Sequence, residues 1–267
     1  MRLSAVRFET SKLLNYYDGQ KGSGKVPDIV YVIPSYKRKD ALIEKTLSVL
    51  YEYYIDKEDI YIFVADKEQL EEYSNVVAMG YNVIVAKKGL TNTRNFIIDY
   101  FKEGQKIVSL NDDIISIEKM ISKTKLEPII NLKQFITDGF KELEKQGLQL
   151  GGIYPSHNPQ FMKNNISTDL KYIVGAFYFF INDKSLKINP IFDLCEDHAR
   201  TIKSFIKYGG VLRYNYITIK TSYYKSEGRI KGETPEEICK TALYNKYPNY
   251  IKPIIKKGRF DISLKNV

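Results

Sequence analysis

Tryptophan is absent from this 267-residue chain, and cysteine and histidine occur only twice each. Cys195 and Cys239 cannot form a disulfide framework or, alone, a four-ligand zinc site, and they read as packing residues. Long hydrophobic runs are missing too. The longest apolar stretch, Tyr172 to Ile181, falls well short of the roughly 20 residues that cross a bilayer. The opening MRLSAVRFETSKLL has no sustained apolar core and no small-residue cleavage site, so no signal peptide is expected. These absences exclude secreted mini-protein, membrane and fibrous classes, and a soluble cytoplasmic protein is the expectation. Arginine is also scarce, at 8 of the 41 basic residues.

What is present points to a globular domain. Apolar residues make up 43% of the chain and charged residues 27%, enough for a full core and too apolar for disorder. The length suits a single domain spanning 1–267, with a lead-in at 1–27 and a C-terminal loop and helix at 221–267. The 41 basic residues outnumber the 32 acidic ones by nine, which favours an anionic partner such as nucleic acid, a nucleotide or a membrane surface. Lys, Ile, Tyr and Asn all have AT-rich codons, so codon bias can supply much of that lysine excess. The positions of the arginines are more telling. Arg38, Arg94, Arg200, Arg213 and Arg229 fall in or beside the motifs below.

Gly19, Gly24 and Lys25 fit a G-x-x-x-x-G-K phosphate loop, but Val26 stands where a Ser or Thr is needed and Pro27 where a helix should begin. Beyond them strands and helices alternate. IVYVI (29–33), IYIFVA (60–65), NVIVA (82–86) and IVSL (107–110) read as buried strands. Helices are expected from about Asp40, with Ile43, Leu47, Leu50 and Tyr54 in phase, then at 67–74, 91–101, 131–146 and 196–207, the last ending at Gly209-Gly210. Further strands are expected at 151–154, 173–181 and 211–220. Thr234-Pro235-Glu236-Glu237 forms a capping box for a last helix. The pattern predicts an α/β fold with a mostly parallel central sheet flanked by helices.

Ligands of such sheets bind at the carboxyl ends of the strands. There the chain places Pro34-Ser35-Tyr36-Lys37-Arg38, then Asp66, then Lys88 to Asn95, then Asn111-Asp112-Asp113. An aromatic ring, several basic groups and paired carboxylates on one rim suit a nucleoside diphosphate with a divalent metal.

The series IPSYKR, GLTNTRN, LNDD and EDHAR, in this order over roughly residues 28–220, resembles the nucleotide-sugar glycosyltransferases of the GT-A fold. Within that group it is most similar to the phage and kinetoplastid enzymes that glycosylate hydroxymethylated DNA bases, the base J glucosyltransferase type. The resemblance implies a mixed, Rossmann-like sheet and transfer of a hexose, glucose from UDP-glucose, to a hydroxyl of a modified pyrimidine in DNA. It implies Pro34 and Tyr36 at the nucleobase, Arg38 beside the nucleotide, Asp66 at the base or ribose, and Arg94 and Asn95 on the nucleotide or sugar. Asn111-Asp112-Asp113 stands where the family has D-x-D, with Asp113 the contact for Mn²⁺ or Mg²⁺. Asn111, in place of Asp, lowers the charge of that motif. Asp197, with Glu196 second, matches the acidic motif that deprotonates the acceptor hydroxyl, a weak nucleophile that needs a placed base. His198 is a further metal or phosphate candidate, and Lys225 and Arg229 would neutralise the leaving diphosphate.

Blander roles compete with each. Asp112 and Asp113 suit a turn and helix cap, and Glu196 and Asp197 suit a first helical turn on dipole grounds alone. Arg94 could pair with Asp99, His157 reads as an ordinary loop residue, and Gly175 relieves packing or lets a substrate approach. Two other functions stay open: the same enzyme acting on a polysaccharide, lipid-linked or protein acceptor, and a non-catalytic DNA-binding module on a degenerate scaffold.

Overall fold

The computed structural model describes residues 27–222, 236–256 and 259–265. The four apolar runs form β1 (Ile29–Pro34), β2 (Ile60–Val64), β3 (Asn82–Val85) and β4 (Lys106–Leu110), all parallel, in the order β3-β2-β1-β4. Both faces are covered, which is why these runs are continuously apolar rather than alternating. On one face Val30, Val32, Phe63, Ile84 and Ile107 pack against Ile97 of helix α4 (Leu90–Tyr100). On the other, Tyr31, Ile33, Ile62, Val64 and Val108 belong to the main core. That core is covered by α1 (Lys39–Ala41, a π-type stretch Leu42–Leu47, then Ser48–Glu52), α2 (Lys67–Glu72), α3 (Ser74–Ala78) and α5 (Leu132–Gln146).

Past β4 the sheet turns mixed. β9 (Phe177–Ile181) lies antiparallel between β4 and β7 (Leu150–Ile153), followed by β10 (Leu212–Tyr214) and β8 (Ile166–Ser167). Four pairings in this sheet are parallel and three antiparallel. The expected α/β fold with a mostly parallel sheet flanked by helices is therefore what the chain adopts. A second sheet, β11-β5-β6, combines β5 (Ile114–Ser122), β6 (Lys125–Pro128) and β11 (Ile217–Thr221).

Several expected boundaries shift, each for a local reason. In α1, Leu47 and Leu50 are buried as expected, together with Leu42, Thr46 and Val49, whereas Tyr54 lies beyond the end of the helix at Glu52 and is 83% exposed. The expected helix at 67–74 is two short ones, α2 and α3. The expected 173–181 strand begins only at Phe177, because the carbonyls of Gly175 and Ala176 are taken by Arg94 and by the Asn111 N–H. The expected 211–220 strand breaks at Asn215, whose side-chain amide donates to Asn165 and Ser167, so β10 and β11 join different sheets. Helix α6 (Glu196–Tyr208) ends as expected, on Gly209 at φ +76°, a left-handed conformation that favours glycine.

The C-terminal region holds more than a loop and a helix. After α7 (Glu236–Lys246), β12 (Ile251–Lys256) pairs antiparallel with β13 (Arg259–Leu264), forming a satellite core with Phe192, Ala199 and Ile202. Cys195 and Cys239 are not merely packed. They are joined in a disulfide that ties the start of α6 to α7 across a separation of 44 residues. The candidate phosphate loop at 19–25 and residues 234 and 235 of the capping box lie outside the described residues.

Candidate active site

The turn after β1 is held by its backbone. Lys37 sits at φ +54° and donates its N–H to Gln69 Oε1 at 2.7 Å, and the Arg38 N–H donates to the Tyr73 hydroxyl at 3.1 Å. This aims Arg38 across the sheet edge at the loop after β4. Its Nη1 lies 3.0 Å from Asp112 Oδ1 and its Nη2 3.0 Å from Asp113 Oδ2. Ser35 donates to Asp112 Oδ2 at 2.8 Å and meets the Tyr73 hydroxyl at 2.7 Å. From below, Thr46 on α1 donates to the Asn111 carbonyl at 2.8 Å and accepts the Ile114 N–H at 2.9 Å. The Asn111-Asp112-Asp113 loop is thus fixed on both sides. Burial pushes the Asp112 carboxyl up to about 6, against the opposing pull of Arg38 and Ser35.

That shift has a consequence for stability. Because the folded state holds the Asp112 proton more tightly than the unfolded chain, stability falls as pH rises from about 4 to about 6, and the full cost is carried above that. Asp112→Asn removes the cost, on the order of 2–3 kcal/mol, a net figure that already contains the opposing pull of Arg38 and Ser35. The difference in urea midpoint between wild type and variant should therefore move in the variant's favour between pH 4 and pH 7.5. An unchanged difference over that range rules the burial cost out.

A second cluster lies on the far side of the same loop. The Asn111 N–H donates to the Ala176 carbonyl at 2.9 Å, and the neighbouring Gly175 carbonyl accepts from Arg94 Nη2 at 2.6 Å. Arg94 Nη1 pairs with Glu196 Oε1, and Glu196 Oε2 takes Arg200 Nη1 at 2.7 Å. The Arg200 guanidinium stacks 3.6 Å from the Tyr178 ring centroid. Burial pulls the Arg94 pKa down. Burial of the Tyr178 phenol opposes its ionisation, but Arg200 and Arg94 outweigh this and bring its pKa below the ordinary tyrosine value. Gly175 is the close approach that makes room: a Cβ there would lie 2.9 Å from Arg94 Nη1 and 3.0 Å from Glu196 Oε1. Gly175→Ala is expected to push the pair apart and cost about 1–3 kcal/mol, measured as a lowered unfolding midpoint.

Asp197 and His198 follow on α6. Asp197 Oδ1 accepts the His198 N–H at 2.9 Å and lies 3.1 Å from His198 Nδ1, and Oδ2 accepts from the Tyr172 hydroxyl. The His198 and Tyr172 rings stack with centroids 4.3 Å apart. Burial raises the Asp197 pKa, but the His198 and Tyr172 hydrogen bonds and the Arg200 charge win, holding it well below the usual carboxylate range.

The remaining predicted residues divide. Pro34 ends β1 and Tyr36 lies half-buried on the same turn as Arg38, with the Lys37 ammonium 5.5 Å from its ring. Asp66 caps α2, its carboxylate accepting the Gln69 N–H at 2.9 Å. Asn95 is a clamp: its amide donates to the Ile188 carbonyl at 2.7 Å and accepts the Ile188 N–H at 2.8 Å. Arg94 pairs with Glu196 rather than with Asp99, which instead takes Lys187 at 2.9 Å. His157 pairs with Glu118 at 2.7 Å, as an ordinary loop residue can. Lys225 and Arg229 lie outside the described residues. Sequence reasoning gave no role to Ser35, Thr46, Tyr73, Tyr172 or Tyr178. Only Ser35 carried a signal, its place inside the post-strand motif.

The donor set fits a resident divalent ion poorly. Arg38 already spans both carboxylates, and only Asp113 Oδ1 is left buried without a hydrogen-bond partner. His198 is engaged with Asp197 and Tyr172. Among the described residues no group of three or more His, Cys, Asp or Glu is placed to hold a metal. Among them, too, no helix is long and apolar enough to cross a membrane.

No protein-family model matches the chain, and no curated protein does. Solved structures resemble it at a distance. TarS 1-349 of S. aureus is 13% identical, with 82% of this chain and 72% of that chain covered and a TM-score of 0.49. Its complex with UDP is 14% identical over the same shares, also at 0.49. Glucosyl-3-phosphoglycerate synthase of Mycobacterium tuberculosis, in complex with Mn²⁺, UDP and glucosyl-3-phosphoglycerate, is 9% identical, with 100% of this chain and 93% of that chain covered and a TM-score of 0.46.

Proposed function

We propose that this chain is a nucleotide-sugar glycosyltransferase of the GT-A type. In this reading it moves a hexose, glucose from UDP-glucose, to the hydroxyl of a hydroxymethylated pyrimidine in DNA. One observation carries the first part. Motifs separated by up to about 160 residues meet through an unbroken chain of contacts: Arg38 with Asp112 and Asp113, Asn111 with Ala176, Gly175 with Arg94, and Arg94 with Glu196. They meet at the carboxyl ends of parallel strands, where ligands of open α/β sheets bind.

The roles follow from the chemistry of each group. Tyr36 offers a half-exposed ring for the nucleobase. Arg38 offers a guanidinium fork for the diphosphate, with Lys225 and Arg229 assigned to the leaving group. Asp197, ionised and aligned by Tyr172 and His198, takes the proton of the acceptor hydroxyl as the new C–O bond forms. Glu196 is committed to two arginines and serves to hold the site together. The part that the resemblance gives to Mn²⁺ or Mg²⁺ is not adopted, because Arg38 holds both carboxylates.

The DNA acceptor rests on the motif resemblance and on the net charge of +9. Such a surface would bind phosphates in a salt-dependent, sequence-tolerant way, and the target base would be flipped out of the duplex to reach the base Asp197. The test is turnover of UDP-glucose with and without hydroxymethylated DNA, following UDP release and the mass of digested nucleosides. A gain of one hexose on the nucleoside is the expected result. UDP release with no nucleoside change moves the acceptor to a glycan, lipid-linked sugar or protein. Absence of both turnover and nucleotide binding leaves a non-catalytic scaffold.

A further inference from the structure

We propose that Arg38 is the resident cation of the Asn111-Asp112-Asp113 motif, so that the donor diphosphate is bound through a guanidinium and not through a divalent metal ion. This rests on the donor-site reading above. The two carboxylates are each only 4% exposed and both already face Arg38, one at each terminal nitrogen, at 3.0 Å. A fork spanning two acids in this way fills the position a bridging cation would take.

The guanidinium is not on a loose arm. The Lys37 and Arg38 N–H groups are tied to Gln69 and Tyr73, and Ser35 joins Tyr73 to Asp112. Withdrawing Arg38 would strand two buried negative charges, which is costly. Leaving it in place and adding a divalent ion would set like charges side by side. Asn111 weakens the attraction for such an ion further, since an amide stands where a third carboxylate could.

Arg38 also has bonding capacity to spare. Its Nε and Nη2 are buried and find no aligned hydrogen-bond acceptor in the protein, while the side chain as a whole is 18% exposed. A guanidinium carries five N–H donors. Nη1 and Nη2 face the carboxylates, and the exposed part of the fork is left for phosphate oxygens arriving at the rim.

Two measurements on the full chain decide it: Mn²⁺ uptake followed by electron paramagnetic resonance, and UDP binding by calorimetry in EDTA and in Mn²⁺. Wild type is expected to take up no stoichiometric Mn²⁺, with or without UDP, and to bind UDP about equally in both buffers. Arg38→Ala is expected to gain one Mn²⁺ per chain and to bind UDP about tenfold more weakly in EDTA. Should Arg38→Ala fail to fold, Arg38→Gln, which removes the charge but keeps an amide donor facing the two intact carboxylates, takes its place. One Mn²⁺ per chain on wild type, alone or with UDP, overturns the proposal. So does an Arg38 variant that binds no Mn²⁺, since Arg38 is then not what keeps the ion out. UDP that binds in neither buffer sinks the uridine donor, while the Mn²⁺ uptake of wild type and variant still decides the role of Arg38.

Discussion

Glu196→Gln is expected to lower folding stability by about 3–5 kcal/mol. The side chain is 5% exposed and its two carboxylate oxygens serve two different arginines, Arg94 and Arg200. An amide of the same shape keeps the volume but supplies no charge. Two buried guanidiniums are then left with the Gly175 carbonyl, the Tyr178 ring and the more distant Asp197 as their remaining company. Several of their nitrogens lack a protein acceptor even in the intact cluster, so there is no reserve partner to turn to. Urea unfolding followed by circular dichroism measures the loss. The double variant Glu196→Gln/Arg200→Met tests the cause, because it removes one stranded charge and should lose less than the single variant. A single variant within about 1 kcal/mol of wild type would show that Glu196 is not the keystone of the two arginines.

The same cluster shows which parts of this molecule its sequence discloses. Strands β1 to β4 are legible because both of their faces are buried, which writes each as an unbroken apolar run. Once those runs are placed, fold topology dictates that the residues after them share a rim, and Arg38, Arg94, Asp112 and Asp113 follow. The β5–β6 hairpin is less legible: β5 is buried at Ile114 and Ile117 but exposed at Ile115 and Ile121, so its apolar residues follow neither period cleanly. Side-chain direction is less legible still. Arg94 and Asn95 are adjacent on one helix, yet Arg94 turns toward the site and Asn95 is spent on the backbone of Ile188. Long-range partners carry no local signature at all. Nothing in the neighbourhood of Thr46 announces that it braces the carbonyl of Asn111, 65 positions away. Likewise, nothing around Cys239 announces Cys195, because two lone cysteines in a chain of this composition ordinarily read as buried apolar residues.

Asp197→Asn is expected to lower turnover by about 10²–10⁴-fold while leaving the fold intact, which separates it from its neighbour Glu196. The amide oxygen can still accept the His198 N–H, and the amide NH2 can donate to the Tyr172 hydroxyl oxygen, so the start of α6 keeps its hydrogen-bond partners. What is lost is the negative charge to which the proposed mechanism assigns the acceptor proton. The environment of that charge also sets a pH signature. His198, Tyr172 and Arg200 hold the Asp197 pKa below the ordinary carboxylate range, against the opposing effect of burial. The carboxylate therefore stays ionised well into acid, and the acidic limb of the turnover profile should lie low. Tyr172→Phe deletes one donor to the ionised form, so the pKa rises and the limb moves toward neutral pH, with kcat on the plateau changed far less than in Asp197→Asn. The proposed transfer of glucose from UDP-glucose to hydroxymethylated DNA, assayed across pH for the three proteins, reads both effects at once. If Asp197→Asn retains turnover within tenfold of wild type, another group is the base. A limb that does not move in Tyr172→Phe removes Asp197 as the group whose ionisation is being read.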